Sequence, residues 1–124
     1  MNSTPDNITE LKPNEIFVFG SNLNGYHSAG AAQAAYNKFG AEWEIGEGLS
    51  GQTYAFPTLE RDMHKRGLRA LLNSRDRLFA TARALPEKTF LLTKVGCGIA
   101  GFNEEDIKKL FIDAPDNIVK PEDW

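Results

Sequence analysis

The apolar run Phe90-Leu91-Leu92-Thr93-Lys94-Val95 breaks at Gly96, and glycine recurs at Gly98 and Gly101. Glycine lets a backbone turn tightly and present bare N–H groups to an anion, so this spacing points to phosphate binding by main chain rather than side chain. A second run, Glu15-Ile16-Phe17-Val18-Phe19, breaks in a similar way into Gly20-Ser21-Asn22-Leu23-Asn24-Gly25-Tyr26-His27 and then Ser28-Ala29-Gly30-Ala31-Ala32. Small residues at the start of a helix leave its first N–H groups open to an anionic ligand, although tight helix-on-sheet packing explains them equally well. Side-chain chemistry is sparse by comparison. The single cysteine, Cys97, excludes an internal disulfide and a multi-thiolate metal site, and reads as a small buried residue beside the glycine loop. The two histidines, His27 and His64, stand 37 residues apart and form no recognisable metal-ligand set. His27 is the candidate for general acid–base work, since an imidazole titrates near neutrality, with an exposed loop histidine as the plainer alternative. Glu47 and Asp62 are further acids on loops, and read as surface carboxylates.

Gly96-x-Gly98-x-x-Gly101 also spells the dinucleotide-binding fingerprint. That fingerprint opens a first βαβ unit and is followed by a second strand and an acid about 20 residues on. Only 23 residues follow Gly101, and they run through Ala114-Pro115-Asp116-Asn117 into a proline-containing tail. The position predicts that no second strand follows and that the glycines close a set of ligand loops rather than open one.

Local residue patterns set the elements that would position these loops. Ile8 and Leu11 predict an edge strand or a turn packed on the body. Glu15–Phe19 predicts a buried strand by its aromatic and β-branched content, with an irregular loop from Gly20 to His27. Ser28 is the expected N-cap of a helix over Ala29–Phe39 stopped by Gly40, with Ala29, Ala32, Tyr36 and Phe39 on one face. Trp43–Ile45 suggests a short strand, Gly46–Gly51 a loop, and Gln52–Thr58 a strand ended by Pro57. Met63–Asn73 is ambiguous because Gly67 weakens a helix, and a helix is expected from Ser74, with Leu78, Ala82 and Leu85 on one face. Thr89–Val95 predicts a buried strand, Asn103 caps a last short helix through Ile107, Leu110 and Phe111, and Ile118, Val119 and Trp124 dock the tail. Alternating elements of this kind predict a compact, single three-layer α/β/α domain over residues 1–124 with a mixed sheet. If the strands ending at Phe19 and Val95 are parallel neighbours, both glycine loops open on one sheet edge and form one cleft.

A chain of 124 residues fits one domain, and its 41% hydrophobic and 25% charged content is that of an ordinary soluble globule. Net charge is −3, so no global basic field invites nucleic acid. Arg61, Lys65, Arg66, Arg69, Arg75, Arg77 and Arg83 concentrate positive charge in one third of the chain, which reads as a solvated helix face. No apolar stretch approaches membrane-spanning length, and Met1–Asp6 lacks the basic and apolar regions of a signal peptide, which predicts a cytoplasmic protein. Oligomeric state leaves no signal.

Four stretches together resemble the macrodomain family, α/β modules that bind ADP-ribose and its derivatives. Asp6-Asn7-Ile8-Thr9-Glu10-Leu11 resembles the opening acid-Ile-Thr segment, Phe19-Gly20-Ser21-Asn22 the strand-end asparagine, His27–Ala32 with Lys38-Phe39-Gly40 the first glycine-rich loop and helix, and Val95–Phe102 the phosphate loop. The last two are most similar to the branch of terminal ADP-ribose protein glycohydrolases, and the chain as a whole resembles a compact macrodomain-like group of bacteria and phages. The resemblance implies that backbone N–H groups of Ala29, Gly30 and Ala31 and of Cys97, Gly98, Ile99, Ala100 and Gly101 hold a diphosphate, with Ser28 and Gly96 beside them. It further implies that Asp6, or Asn7 if the segment is shifted by one, meets the adenine amine, Asn22 a ribose hydroxyl, and Phe102 the distal sugar. Where the hydrolytic branch carries an Asp, this chain has Ala100, which can neither take a proton nor attack a carbon. A lysine nucleophile is not matched; Lys94 only precedes the loop.

Binding of ADP-ribose or a related NAD-derived nucleotide is thus the leading expectation, with no resident cofactor. The first alternative is an ADP-ribosyl hydrolase using His27. The second is a non-enzymatic scaffold whose glycines serve packing alone.

Overall fold

The computed structural model describes residues 3–124; Met1 and Asn2, on which part of the signal-peptide reading falls, lie outside the described residues. The elements are β1 (Glu15–Asn22), α1 (Gly30–Lys38), β2 (Gly48–Ser50), β3 (Thr53–Leu59), α2 (Leu68–Ala84), β4 (Thr89–Leu92), α3 (Glu104–Leu110) and β5 (Ile118–Val119). The strands form a five-stranded mixed sheet in the order β2-β3-β1-β4-β5, in which only β2 runs antiparallel to its neighbour.

Alternation along β1 sorts the two faces. Phe17 and Phe19 pack with Ala32, Ala35 and Phe39 of the α1 segment, and Ile8 and Leu11 cover this cluster from the N-terminal segment. Ile16 and Val18 face the other way, against Leu71, Leu78, Phe79 and Ala82 of α2 and Ile107 and Leu110 of α3. The result is an α/β domain with helices on both sides of the sheet. Phe56, Leu78 and Phe90 are fully buried, and each contributes about 1.5–3 kcal/mol through the apolar surface it removes from water.

Several sequence expectations are corrected. β1 does not stop at Phe19, because Gly20, Ser21 and Asn22 continue its pairing with β3 opposite Phe56, Pro57 and Leu59. Trp43–Ile45 is not a strand; Glu44 takes a left-handed φ of 73°, and the edge strand is Gly48–Ser50, inside the expected loop. Pro57 does not end β3. Its carbonyl accepts from Arg66, so its missing N–H lies on a side that no strand pairs. The second helix starts at Leu68 rather than Ser74, because Gly67 is its N-cap instead of an interior residue. Ser74 is buried within that helix, accepting from Arg66 and Arg77.

In α1 the N-cap is Ala29, not Ser28, and it makes no side-chain cap bond. Ala35, not Tyr36, completes the buried face, with Tyr36 exposed. The tail also holds a strand. β5 pairs in parallel with β4, so β4-α3-β5 is a βαβ unit, and the expectation that no strand follows the 96–101 loop fails. Asn103 does cap α3, accepting from the Glu105 N–H at 2.9 Å, and Trp124 stacks on Phe111. No helix among the described residues is long and apolar enough to cross a membrane.

Candidate functional site

β1 and β4 are parallel neighbours, yet the chain leaves them in opposite directions across the sheet, β1 toward β3 and β4 toward β5. At such a switch point the two following loops diverge and leave a crevice at the carboxyl ends of the strands. A cleft of about 550 Å³ lies there, lined by Asp6, Asn22, Ser28, Ala29, Gly30, Ala31, Gly96, Gly98, Ile99 and Ala100 among others. That volume falls within the range of small-molecule sites.

Close backbone approach builds its floor. A Cβ on Gly96, where φ is +77°, would stand 3.0 Å from the Phe102 ring and 3.1 Å from the Thr58 methyl, so only glycine passes here without a shift. Ile99, exposed at the tip of the loop, reaches across the mouth: the Cβ position of Gly30 lies 3.8 Å from its Cδ1.

The hydrogen-bond donors of the two loops are sorted by their internal pairing. Cys97 and Gly101 donate their N–H groups to the carbonyls of Lys94 and Gly98, at 3.2 and 3.0 Å. Among the described residues, the N–H groups of Gly98, Ile99 and Ala100 have no intramolecular acceptor. The same holds for Gly30, Ala31 and Ala32, the uncapped first turn of α1. Two short runs of free donors therefore border one cleft.

Other expected site residues stand apart from it. Phe102 packs on the core and under Gly96, and Cys97 and Gly101 do not line the cleft. Burial, with the charge of Glu104 as a second cause, pushes the Cys97 thiol up, which keeps it protonated at neutral pH. Asn22 does line the cleft, but its amide closes a ring on Tyr26, accepting from the Tyr26 N–H and donating to the Tyr26 carbonyl at 3.0 Å each.

His27 is 1% exposed and is not among the lining residues. Its Nε2 lies 3.0 Å from the Glu42 carbonyl and must be the donor, while Nδ1 is buried without a partner. Its ring meets Phe19 and Trp43 edge-on. Burial holds the imidazole below its ordinary value, offset in part by the backbone at Glu42 and Ile45. Glu47 forms a two-point pair with Arg77, and Asp62 pairs with His64, both outside the cleft. Lys94 lines the cleft while its ammonium pairs with Glu104 and Asp123.

Sequence reasoning missed Thr58, Leu59 and Met63, which complete the wall from the end of β3. No local residue pattern marks them, because they reach the cleft only through the parallel pairing of β3 with β1, which places both carboxyl ends on one edge. No group of three or more histidine, cysteine or acidic side chains suited to a metal occurs among the described residues. No family model, curated protein or solved structure matches the chain.

Proposed function

We propose that the cleft binds ADP-ribose or a related NAD-derived nucleotide, in the manner of a macrodomain. The observation that supports this reading is the pair of free N–H runs, Gly30–Ala32 and Gly98–Ala100, bordering one crevice between β1 and β4. Donors fixed on both sides of a cleft suit a two-phosphate bridge, and each charge-assisted hydrogen bond is worth roughly 1.5–3 kcal/mol. Asp6 is exposed on the same rim, where it meets an adenine amine. The Asn22 carboxamide keeps one N–H and one lone pair beyond its Tyr26 bonds for a ribose hydroxyl.

Binding is preferred to hydrolysis because Asp6 is the only carboxylate among the lining residues, Lys94 is paired, and Ala100 offers no base. The test is a thermal-shift series with ADP-ribose, ADP, AMP and NAD, followed by calorimetry. A ligand at 100 times its Kd adds about 2.7 kcal/mol of stability, and ADP-ribose should raise Tm more than AMP does. No shift with any of the four would remove the reading in favour of a packing role for the glycines.

A further inference from the structure

The cleft does not end at Ile99. A second, more open depression adjoins it, sharing Leu59, Met63, Ile99 and Ala100 as a common wall and adding His64 and Lys65. The segment that carries Lys65 is a tight turn after β3. Glu60 donates to the His64 carbonyl at 2.7 Å, Met63 donates to Glu60 at 2.9 Å with a left-handed φ of 71°, and Arg66 donates to Thr58 at 3.0 Å. These bonds fold the turn back over the 96–101 loop. The Lys65 ammonium donates to the Gly101 carbonyl at 2.9 Å and lies 5.2 Å from the centre of the Phe102 ring.

This cation has no carboxylate within 4.0 Å among the described residues; Asp62, three positions earlier in the chain, pairs with His64. One of its three donors is used on a neutral carbonyl, and the others are open to solvent. Gly101 directly follows Ala100, a lining residue of the cleft whose N–H has no intramolecular acceptor among the described residues. An uncompensated charge on a four-carbon stem is thereby parked one residue from the donors that would hold an anion.

We propose that Lys65 is an anion-binding residue of this site: on ligand entry its ammonium leaves the Gly101 carbonyl and pairs with the phosphate carried by the 98–100 loop. This rests on the nucleotide reading above and adds to it a side-chain charge that selects phosphorylated ligands over neutral nucleosides. The exchange replaces a hydrogen bond to a neutral oxygen with one to a charged oxygen, the stronger kind. Neither the turn nor the loop needs to refold for it, because the turn is held by its own backbone bonds.

The experiment is calorimetry with ADP and with adenosine on the full chain and on the variants Lys65→Gln and Lys65→Arg, at two salt concentrations. Lys65→Gln keeps an N–H donor for Gly101 but lacks the charge. It should weaken ADP about five-fold, leave adenosine unchanged and flatten the salt dependence of ADP binding, while Lys65→Arg restores both. Unchanged ADP affinity in Lys65→Gln overturns the proposal, as does an equal loss for adenosine and ADP, which would mark a loop-holding role. A wild-type chain that binds ADP-ribose but neither ADP nor adenosine overturns this inference alone, and one that binds none of the three, ADP-ribose included, removes the nucleotide reading and this inference with it.

Discussion

Gly20 lies directly against Gly96: a Cβ built on Gly20 would come within 3.1 Å of the Gly96 amide nitrogen. The first glycine after each apolar run thus meets the other across the β1–β4 boundary, and the two loops share one floor. Glycine at these positions serves the close approach of two main chains, which is also what brings the donors of both loops to one cleft.

The glycines of the second loop are expected to separate by their surroundings. Gly96→Ala meets Phe102 and Thr58 in a left-handed backbone and should cost about 1–3 kcal/mol, read as a lowered Tm or denaturant midpoint. Gly98→Ala meets no atom within 4 Å and has no left-handed φ, so its stability should stay within about 0.5 kcal/mol of wild type. Gly98 lines the cleft and Gly96 anchors it, so the first variant reports on fold and the second on ligand affinity.

The buried imidazole of His27 makes stability depend on pH. Its folded pKa is below the ordinary 6.5, so the unfolded chain binds more protons as pH falls through 6.5 toward the folded value. Stability is full above about pH 6.5 and declines below it until the folded imidazole also protonates. Urea midpoints measured from pH 8 to pH 5 should fall over that window, and His27→Gln should flatten the fall. The window lies above the carboxylates Asp62 and Asp123, whose pKa values are held below 3.8 by His64 and Lys94 respectively. A midpoint that is flat from pH 8 to pH 5 would contradict the buried neutral ring.

Asn22 shapes the loop through two bonds to one backbone unit. Asn22→Asp keeps the acceptor for the Tyr26 N–H but sets a carboxylate oxygen against the Tyr26 carbonyl. A loss of about 1–3 kcal/mol is expected, with faster amide exchange at Tyr26. Equal stability in both forms would mean that the loop is held from elsewhere.

The larger core is the stability reserve of the domain. Leu78 is fully buried between α2 and the sheet, and Leu78→Ala should cost about 2–5 kcal/mol, depending on how far the cavity collapses. Leu68, at the start of the same helix, is 66% exposed, and Leu68→Ala should change stability by less than about 0.5 kcal/mol. Denaturant titration of the pair checks the assignment of the buried face.

Much of this was written in local residue types. The β-branched and aromatic runs marked β1, β3 and β4, Asn103 marked the start of α3, and the glycines at 96, 98 and 101 marked a loop whose backbone must come close to something. These features depend on a few neighbouring residues, so a linear reading reaches them. Partnership is different. Whether Gly20–Asn22 is loop or strand depends on β3 lying beside it, and Pro57 is tolerated because the side that lacks an N–H faces Arg66 rather than a strand. Residue type offers His27 as an acid–base candidate or as an exposed loop histidine, and the packing of Phe19 and Trp43 around it buries the ring instead. The sorting of loop donors into spent (Cys97, Gly101) and free (Gly98, Ile99, Ala100) belongs to the same class, since it rests on which carbonyl each turn brings within reach. Residue types alone determined where the chain bends and where it is apolar. The tertiary structure decided which bends meet, because contacts between residues far apart in the chain are set by the packing of whole elements and by no local preference.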